Sequence, residues 1–355
     1  MRILDLYIGR VIASTTFITL AVFVSISGII KFVDQVKTVG NGNYDVAHAA
    51  LFVFYSVARD IEIFFPMSAL IGGLIGIGML ASNSELVVMQ AAGLSRLDII
   101  KSVMKSAILL ILVSMAIGEW LAPAGESSAR ELRAQALSGG SLISSKSGVW
   151  AKDGRYFVHI GEVQDKGTLS TIQIYRFDDD LKLSSWTSAD SATYAGNAWQ
   201  LENVIETNVG ETQIESVEYP TKRWTSTLTP DKLGVVTVDP EALSLRGLID
   251  YLDYLAANGQ DESRYQLAFW RKIVQPLTVA VMLLVALSFI FGPLRSVSMG
   301  ARILMGVFTG ISFYIANQVM GSLALVYQLP PFAGATIPSL IFIAIALYFM
   351  RRKAI

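Results

Sequence analysis

The sequence predicts a polytopic α-helical membrane protein with six transmembrane helices, in which three helices precede and three follow an inserted extracytoplasmic all-β domain of jellyroll type. Three observations predict this fold class. The 355 residues are 53% hydrophobic and only 16% charged, which is too apolar for an ordinary soluble protein. The apolar residues are concentrated in six runs long enough to cross a bilayer. Between the third and fourth runs, the pattern changes to short segments of alternating polarity.

Composition excludes several kinds of site. The net charge is −1, so no global field favours nucleic acid. The chain has no cysteine, which removes disulfides, thiol nucleophiles and thiolate metal ligands. Its two histidines, His48 and His159, lie far apart in the sequence, so we expect no metal site. No G-x-x-x-x-G-K-[ST] loop is present, so the chain by itself cannot cradle the phosphates of ATP.

Each of the six apolar runs approaches or exceeds the roughly 20 residues that a transmembrane helix needs. The first is too long for the apolar core of a signal peptide, and no small-residue cleavage site follows it. A tight turn, Gln328–Pro331, joins the last two runs into a hairpin. The six predicted spans are Val11–Ile30, Ile61–Ala81, Ser102–Ala122, Ile273–Gly292, Ile303–Tyr327 and Phe332–Met350.

The distribution of Lys and Arg in the short flanks predicts the orientation, because cytoplasmic loops carry the excess of positive charge. One side has Arg2, Arg10, Arg96, Lys101, Lys105, Arg295, Arg302, Arg351, Arg352 and Lys353. The opposite short flanks have Lys31, Lys37 and Arg59. Both termini are therefore predicted to be cytoplasmic, and the long region Pro123–Tyr265 to be extracytoplasmic.

The region from Gly148 to Ser226 predicts a β-sandwich or jellyroll of about eight short strands. Asp153-Gly154 is a strong hairpin signal, and Gly196-Asn197 marks another turn. The predicted strands are Val149–Lys152, Arg155–Ile160, Thr171–Phe177, Leu181–Thr187, Ala192–Ala195, Ala198–Glu206, Glu211–Glu218 and Thr221–Thr225. We expect four tryptophans to face the interior, namely Trp150, Trp186, Trp199 and Trp224. An amphipathic helix is predicted over Ser244–Asn258, with Gly259 ending it.

A short polar segment, Ser82–Asp98, separates the second and third apolar runs. Ser84 is a suitable N-cap for a helix that begins at Glu85, and Gly93 is a natural C-terminal stop. Ser95 and Asp98 resemble a capping box that opens the next helix. The segment is either a plain connector or the place where a soluble motor binds a membrane subunit.

Several stretches spread over nearly the whole chain resemble the lipopolysaccharide export permease family, LptF/LptG. The matching stretches are Ser27–Gln35, Ile63–Met67, Ser84–Gly93, Ala116–Trp120, Leu228–Val236 and Leu287–Ser296. The resemblance implies three parts: residues 1–135 with the first three membrane helices and a coupling helix near 84–93, residues 136–240 as a periplasmic β-jellyroll, and residues 241–355 with a connecting helix and the last three membrane helices.

The resemblance also implies a permease subunit that is not itself an enzyme. Such a subunit extracts lipopolysaccharide from the outer leaflet of the bacterial inner membrane and passes it to a periplasmic bridge. The implied partners are an LptF-like permease, an LptB-like ATPase dimer that hydrolyses ATP with Mg²⁺, an LptC-like bitopic protein and membrane lipids. No cofactor is expected in this chain. Glu85 matches the coupling helix that fits into the ATPase, whereas from sequence alone it could merely complement the positive end of a helix.

The resemblance places lipopolysaccharide headgroup contacts at Lys31, Asp34 and Lys37, which a spacing of three residues puts on one broad helical face. The lysine ammonium groups would bind the headgroup phosphates as point charges. Asp34 would position the two lysines. The alternative is that the lysines only extend to the membrane interface. Thr38 departs from relatives that carry a second lysine there, so one phosphate contact is expected to be weaker or supplied elsewhere.

Two arginines are further headgroup candidates. Arg133 matches a family arginine near the same headgroup. Arg59 lies near the outer end of the second run and could instead pair with Asp60 or Glu62. Five apolar or aromatic residues are candidates for lining an acyl-chain cavity, although most such residues only pack against other helices. These are Phe64, Phe65, Met67, Phe313 and Tyr314.

Two other function classes remain compatible with the residues alone. A membrane sensor or scaffold would bind an envelope ligand with its β-domain and a cytoplasmic regulator with the Ser82–Asp98 segment. An ABC permease for another lipid or a lipoprotein would share the same architecture. An integral hydrolase has the least support, because no nucleophile, base and acid occur together.

Overall fold

The computed structural model describes residues 3–138, 148–165, 167–178, 180, 182–210, 213–230, 232–233, 239–291 and 297–351. It divides the chain into two compact units. The helical unit comprises Met1–Val33, Ser56–Glu126 and Ser263–Ile355, and the β unit comprises Asp34–Tyr55 and Ser127–Glu262. Arg2, Arg295, Arg352 and Lys353, four of the cations used for the orientation, lie outside the described residues.

In the described part of the chain, six helical segments are long and apolar enough to cross a membrane, as the sequence predicts. Each begins before its predicted apolar run, because helical hydrogen bonding includes flanking residues outside the run. The third is interrupted by a π-helical turn, Ile117–Leu121. The segments are α1 (Ile3–Val36), α2 (Val46–Ser82), α4 (Arg96–Ala116) continued by α5 (Ala122–Ser138), α7 (Ser263–Phe291), α8 (Met299–Val326) and α9 (Pro331–Arg351).

The core of the helical unit is built around α2 and α7. In the most apolar 18-residue stretch of each, 67% and 61% of the residues are buried. In the corresponding stretches of α1 and α8 only 17% of the residues are buried, so these two helices present apolar faces to their surroundings. Gly72 brings α1 and α2 into close contact. The Thr15 hydroxyl donates to the Gly72 carbonyl at 2.7 Å, and a Cβ at Gly72 would lie 2.6 Å from the backbone nitrogen of Thr16.

The polar segment between the second and third spans forms the seven-residue helix α3 (Glu85–Ala91). Gly93 follows it with φ of 95°, and Ser95 and Asp98 form the predicted capping box at the start of α4. The predicted N-cap at Ser84 is wrong, because its side chain makes no capping hydrogen bond. Ser84 has φ of 61°, a left-handed conformation in place of the extended backbone that usual N-caps adopt.

The inserted domain is confirmed as a β-domain. Its strands form one antiparallel sheet in sequential order, β1-β2-β3-β4-β5-β6, so neighbours in sequence are neighbours in the sheet. The two predicted turns are present, with Gly154 at φ of 60° and Gly196 and Asn197 at 57° and 67°. The strands are β1 (Val149–Asp153), β2 (Tyr156–Asp165), β3 (Thr168–Phe177), β4 (Leu183–Ala195), β5 (Ala198–Val209) and β6 (Ile214–Trp224).

The predicted count of eight strands is wrong: the described residues contain six. Two pairs of predicted strands are each one longer strand, β4 and β6, although the predicted starts at Leu181 and Glu211 lie outside the described residues. The sequence predicts a break near Asp190 in β4 and another at Pro220 in β6. Both residues lie opposite Asn203 of β5, which has a positive φ of 51°. Pro220 is tolerated because β6 is an edge strand, where a missing N–H costs little.

One face of the sheet is buried and carries residues such as Val158, Ile172 and Leu201. Trp199 and Trp224 are enclosed as predicted, with Trp199 donating to the Leu228 carbonyl at 2.7 Å. The prediction for the other two tryptophans is wrong, since Trp150 is 58% and Trp186 is 36% exposed. Both stack on Tyr175 of β3, at centroid distances of 5.7 and 6.5 Å; Trp186 does so from the adjacent β4 and Trp150 from β1, two strands away. Cross-strand aromatic pairing satisfies these rings on the other face.

The predicted amphipathic helix is present as α6 (Leu245–Ala257), capped by the Ser244 side chain. It is fastened to the β1–β2 turn, because Tyr254 donates to the Lys152 carbonyl and the Asn258 side chain accepts from the Gly154 amide. In the same turn, the carboxylate of Asp153 accepts one hydrogen bond from the Ser226 hydroxyl and one from the Thr227 hydroxyl.

We expect the stability of the β unit to fall as the pH rises from 10 to about 12. Burial, with a smaller contribution from the charge of Asp153, raises the pKa of Tyr254 to about 12 from 10.0. In that window the unfolded chain releases the tyrosine proton while the folded chain retains it, so unfolding is favoured. Hydrogen exchange of the β-strands, measured against pH, tests this.

Tyr254→Phe is the control for the alkaline experiment, because phenylalanine does not titrate. The variant loses the hydrogen bond to Lys152, worth about 1 kcal/mol at neutral pH. Its stability is expected to decline less steeply above pH 10 than that of the unmodified chain. Parallel pH profiles for the two proteins would contradict the assignment to Tyr254.

Candidate functional site

The predicted headgroup residues at the end of α1 divide into two ion pairs of different character. Lys37 pairs with Asp34 at 2.8 Å, and both side chains are exposed, at 73% and 60%. Lys31 pairs with Asp60 of α2 at 2.6 Å, where the carboxylate is only 4% exposed. Lys37 therefore finds its partner three residues away, whereas the partner of Lys31 comes from another helix; the role of Asp34 in positioning the lysines stays a prediction.

Arg59 belongs to a buried polar cluster in the helical unit. Of the two carboxylates considered from sequence, the structure pairs it with Glu62, at 3.0 Å. The second oxygen of Glu62 lies 3.2 Å from the ammonium of Lys272 on α7. The side chains of these three residues are 13%, 6% and 10% exposed. A buried carboxylate that binds two cations from two helices satisfies charges that would otherwise be costly at membrane depth.

The π-helical turn takes part in this cluster. A π-turn displaces the usual helical hydrogen bonds, and the carbonyl of Gly118 accepts from the Lys272 ammonium at 2.7 Å. A Cβ at Gly118 would lie 2.8 Å from an oxygen of Glu62, so glycine provides the room for the carboxylate. Gln275 extends the network, since its amide lies 3.3 Å from the Ser114 hydroxyl. The cluster thus joins α2, the third span and α7.

Sequence reasoning missed Lys272 and Gln275 and gave Asp60 and Glu62 no role beyond possible pairing. A usable signal was present, because Glu62 stands inside a predicted span and Lys272 directly precedes one. Ionisable residues within membrane segments mark functional or structural networks. The partners of Lys31 and Lys272 could not be identified, because each pairs with a carboxylate on a different helix.

Arg133 lies in the β unit, on α5. Its guanidinium is 5.8 Å from the ring centroid of Phe52, a cation–π geometry. Beside it, Tyr44 is buried and donates to the Gln35 side chain at 3.0 Å. Burial raises the pKa of Tyr44, and the positive charge of Arg133 offsets part of that rise. The loop before α2 is tied to α5, because the Asn43 amide donates to the Ala136 carbonyl at 2.8 Å.

The carboxylate of Glu85, at the start of α3, is contacted by two side chains. The Tyr7 hydroxyl donates to one carboxylate oxygen at 2.8 Å, and the Asn83 amide lies 3.5 Å from the other. On the same short helix, Leu86 and Met89 are buried, whereas Val87 and Val88 are 61% and 65% exposed. The helix is thus anchored on one face and presents an apolar surface beside Glu85.

The candidate acyl-chain residues differ in environment. Phe65 and Phe313 are buried and make edge contacts with Phe17 and Phe342, at centroid distances of 6.5 and 5.1 Å. Phe64 stacks on Phe23 at 5.7 Å. Met67 packs close to Gly310 of α8, and Tyr314 is 53% exposed. Their contribution to a lipid cavity stays a prediction.

Comparison with known proteins covers almost the entire chain. A family model described as lipopolysaccharide export system permease LptF/LptG matches residues 6–352. The chain is 51% identical, over 355 residues and 99% of both chains, to the lipopolysaccharide export system permease protein LptG of Escherichia coli (strain K12). It is 47% identical over 352 residues to the protein of that name from Haemophilus influenzae (strain ATCC 51907 / DSM 11121 / KW20 / Rd), covering 99% of this chain and 98% of that one.

Proposed function

The chain belongs to the lipopolysaccharide export system permease LptF/LptG family, and we propose that it is the LptG-type membrane subunit of an ABC transporter for lipopolysaccharide. The observation that carries this proposal is similarity across 99% of the chain to proteins of that name. The subunit would take lipopolysaccharide from the outer leaflet of the inner membrane and pass it to a periplasmic bridge. Its termini would be cytoplasmic and its β-domain periplasmic.

ATP hydrolysis is assigned to a partner. The sequence has no phosphate-binding loop, so energy must come from an LptB-like ATPase dimer. A surface for that ATPase is supplied by Glu85 together with the exposed apolar residues Val87 and Val88. The helix that carries them is anchored by the buried side chains of Leu86 and Met89. The apolar faces of α1 and α8 leave room for an LptF-like permease and an LptC-like membrane helix, as well as for lipid.

The cationic residues support the choice of cargo. Lys31 and Lys37 keep 34% and 73% of their side chains exposed, so both are available to phosphate oxygens. Arg133 makes its described contact with an aromatic ring, which leaves guanidinium donors for an anion. Arg59 is more enclosed and already bound to Glu62, so we assign it a supporting role.

A photocrosslinking experiment tests the cargo. A photoreactive amino acid at Ile30, which is 60% exposed and precedes Lys31, is expected to capture lipopolysaccharide in the assembled complex. A second probe beside Arg133 is expected to do the same. A probe at Ile18, which is 66% exposed farther along α1, provides the control for general lipid contact. Capture of phospholipid alone at Ile30 would point to a different cargo, and failure of an ATPase to co-purify would favour a sensor or scaffold.

Glu85→Ala is expected to lower ATP-driven lipopolysaccharide release at least about tenfold, which corresponds to ~1.4 kcal/mol of lost coupling. The folded chain should be little affected, since a carboxylate at a helix N-terminus contributes about 0.3–1 kcal/mol. Release from vesicles, ATPase activity and thermal unfolding are measured together.

Tyr7→Phe is the matched control for Glu85. It removes the hydrogen bond to the carboxylate but keeps the carboxylate itself available to a partner. We expect this variant to retain most of the transport. Equal losses in both variants would assign Glu85 to local structure and would remove the case for motor docking.

A further inference from the structure

The ion pair between Lys31 and Asp60 is held by more partners than the pair that Asp34 and Lys37 form at the end of α1. Both oxygens of Asp60 are engaged: one lies 2.6 Å from the Lys31 ammonium, and the other accepts from the Ser27 hydroxyl at 3.1 Å. The carboxylate is 4% exposed. A carboxylate fixed by two partners and enclosed by protein cannot move away from Lys31 without losing both hydrogen bonds.

Lys31 itself is not enclosed. Its side chain is 34% exposed, and its hydrogen bond to Asp60 uses one of the three donors of the ammonium group. The ammonium therefore has Asp60 on its buried side and the surroundings on the other. An incoming phosphate would meet a cation whose charge is already partly neutralised at close range.

The exposed pair formed by Lys37 and Asp34 provides the contrast. With side chains 73% and 60% exposed, that pair is screened by solvent and can rearrange freely. Asp34 therefore changes the potential at a bound anion much less than an enclosed carboxylate does. The two pairs have the same chemistry in different dielectric surroundings.

We propose that Asp60 is a fixed internal counter-ion that competes with the cargo phosphate for Lys31 and thereby limits how tightly the headgroup is held. A transporter needs binding that is strong enough to select its cargo and weak enough to release it, as in ion conduction. Asp60 lowers the affinity for the phosphate and so allows Lys31 to release it during each cycle. This inference rests on the proposed function, because it requires a phosphate-bearing lipid as cargo.

The test measures equilibrium binding of purified lipopolysaccharide to the assembled complex in nanodiscs, for the unmodified chain and for Asp60→Asn. Asparagine keeps the shape and an oxygen acceptor for Lys31 while removing the negative charge. We expect at least about fivefold tighter binding, the lower end of typical coupling between linked sites. ATP-driven release should slow in the same variant. Asp60→Ser, measured alongside, removes the same charge with a smaller side chain, so failure of one variant to assemble leaves the other.

Two controls separate competition from a structural role. Asp45→Asn removes a carboxylate that is 66% exposed and pairs with the nearby His48, and it is expected to change affinity less than twofold, as screened surface pairs do. In a Lys31→Gln background, Asp60→Asn should no longer tighten binding, because the cation for which the Asp60 carboxylate and the cargo phosphate compete is absent. Unchanged or weaker binding by Asp60→Asn and Asp60→Ser would overturn the inference. If the unmodified complex did not bind lipopolysaccharide at all, the proposed function itself would fail.

Discussion

Gly72→Leu is expected to force apart the first two membrane helices and to abolish transport. A Cβ at Gly72 would lie 2.6 Å from the Thr16 nitrogen and also against its Cα, so the obstacle is backbone and cannot rotate away. The larger side chain would also break the hydrogen bond from Thr15 to the Gly72 carbonyl. We expect a loss of about 3 kcal/mol, the upper end of typical overpacking costs.

Thermal unfolding of the purified chain and engineered disulfide formation between α1 and α2 measure this effect. Gly300→Leu is the matched control, because a Cβ at that position in α8 meets no atom of the described residues within 4 Å. Replacement of a helical glycine without a clash should be neutral or stabilising. A Gly72→Leu protein that keeps its stability and its α1–α2 disulfide would show that the two helices do not depend on this contact.

Glu62→Ala is expected to destabilise the helical unit by about 3–5 kcal/mol, the usual cost of breaking a buried ion pair by removing one partner. Glu62 supplies one oxygen to Arg59 and the other to Lys272. Without it, two cations remain close together in surroundings that exclude water. The link from α2 to α7 would be lost, and with it the position of Arg59.

Unfolding in detergent and protease susceptibility of the α7 region provide the measurements for this variant. Glu62→Gln is the matched control, since its amide oxygen still accepts a hydrogen bond and its shape is nearly unchanged. We expect it to retain more stability than Glu62→Ala. A change below about 1 kcal/mol in the alanine variant would indicate that the cluster adds little, as many solvated ion pairs do.

Local features were predicted well. The six spans follow from apolar length alone, and the capping box of Ser95 and Asp98 follows from a spacing of three residues. The turn at Gly196-Asn197 follows from residues that tolerate positive φ. In each case the energetically important groups are near neighbours in the chain, so a short stretch of sequence contains the whole interaction.

Features that depend on distant partners were predicted less well. Trp150 and Trp186 were expected inside the β-domain, but Tyr175 of β3 offers a stacking surface for both on the other face. The predicted breaks in β4 and β6 are absent, because both strands stay paired with β5 in the same register on either side of Asn203. Alternating polarity shows where a strand can form, but the neighbouring strand decides its length and its faces.

The sequence by itself determined the membrane class, the six spans, the inserted β-domain and the family, because hydrophobic length and local motifs are properties of consecutive residues. The tertiary structure alone decided which charges on different helices meet. It paired Lys31 with Asp60 and placed Glu62 between Arg59 and Lys272. The physical reason is that a buried charge must find its counter-charge in space, and for Lys31 and Lys272 that counter-charge is on another helix.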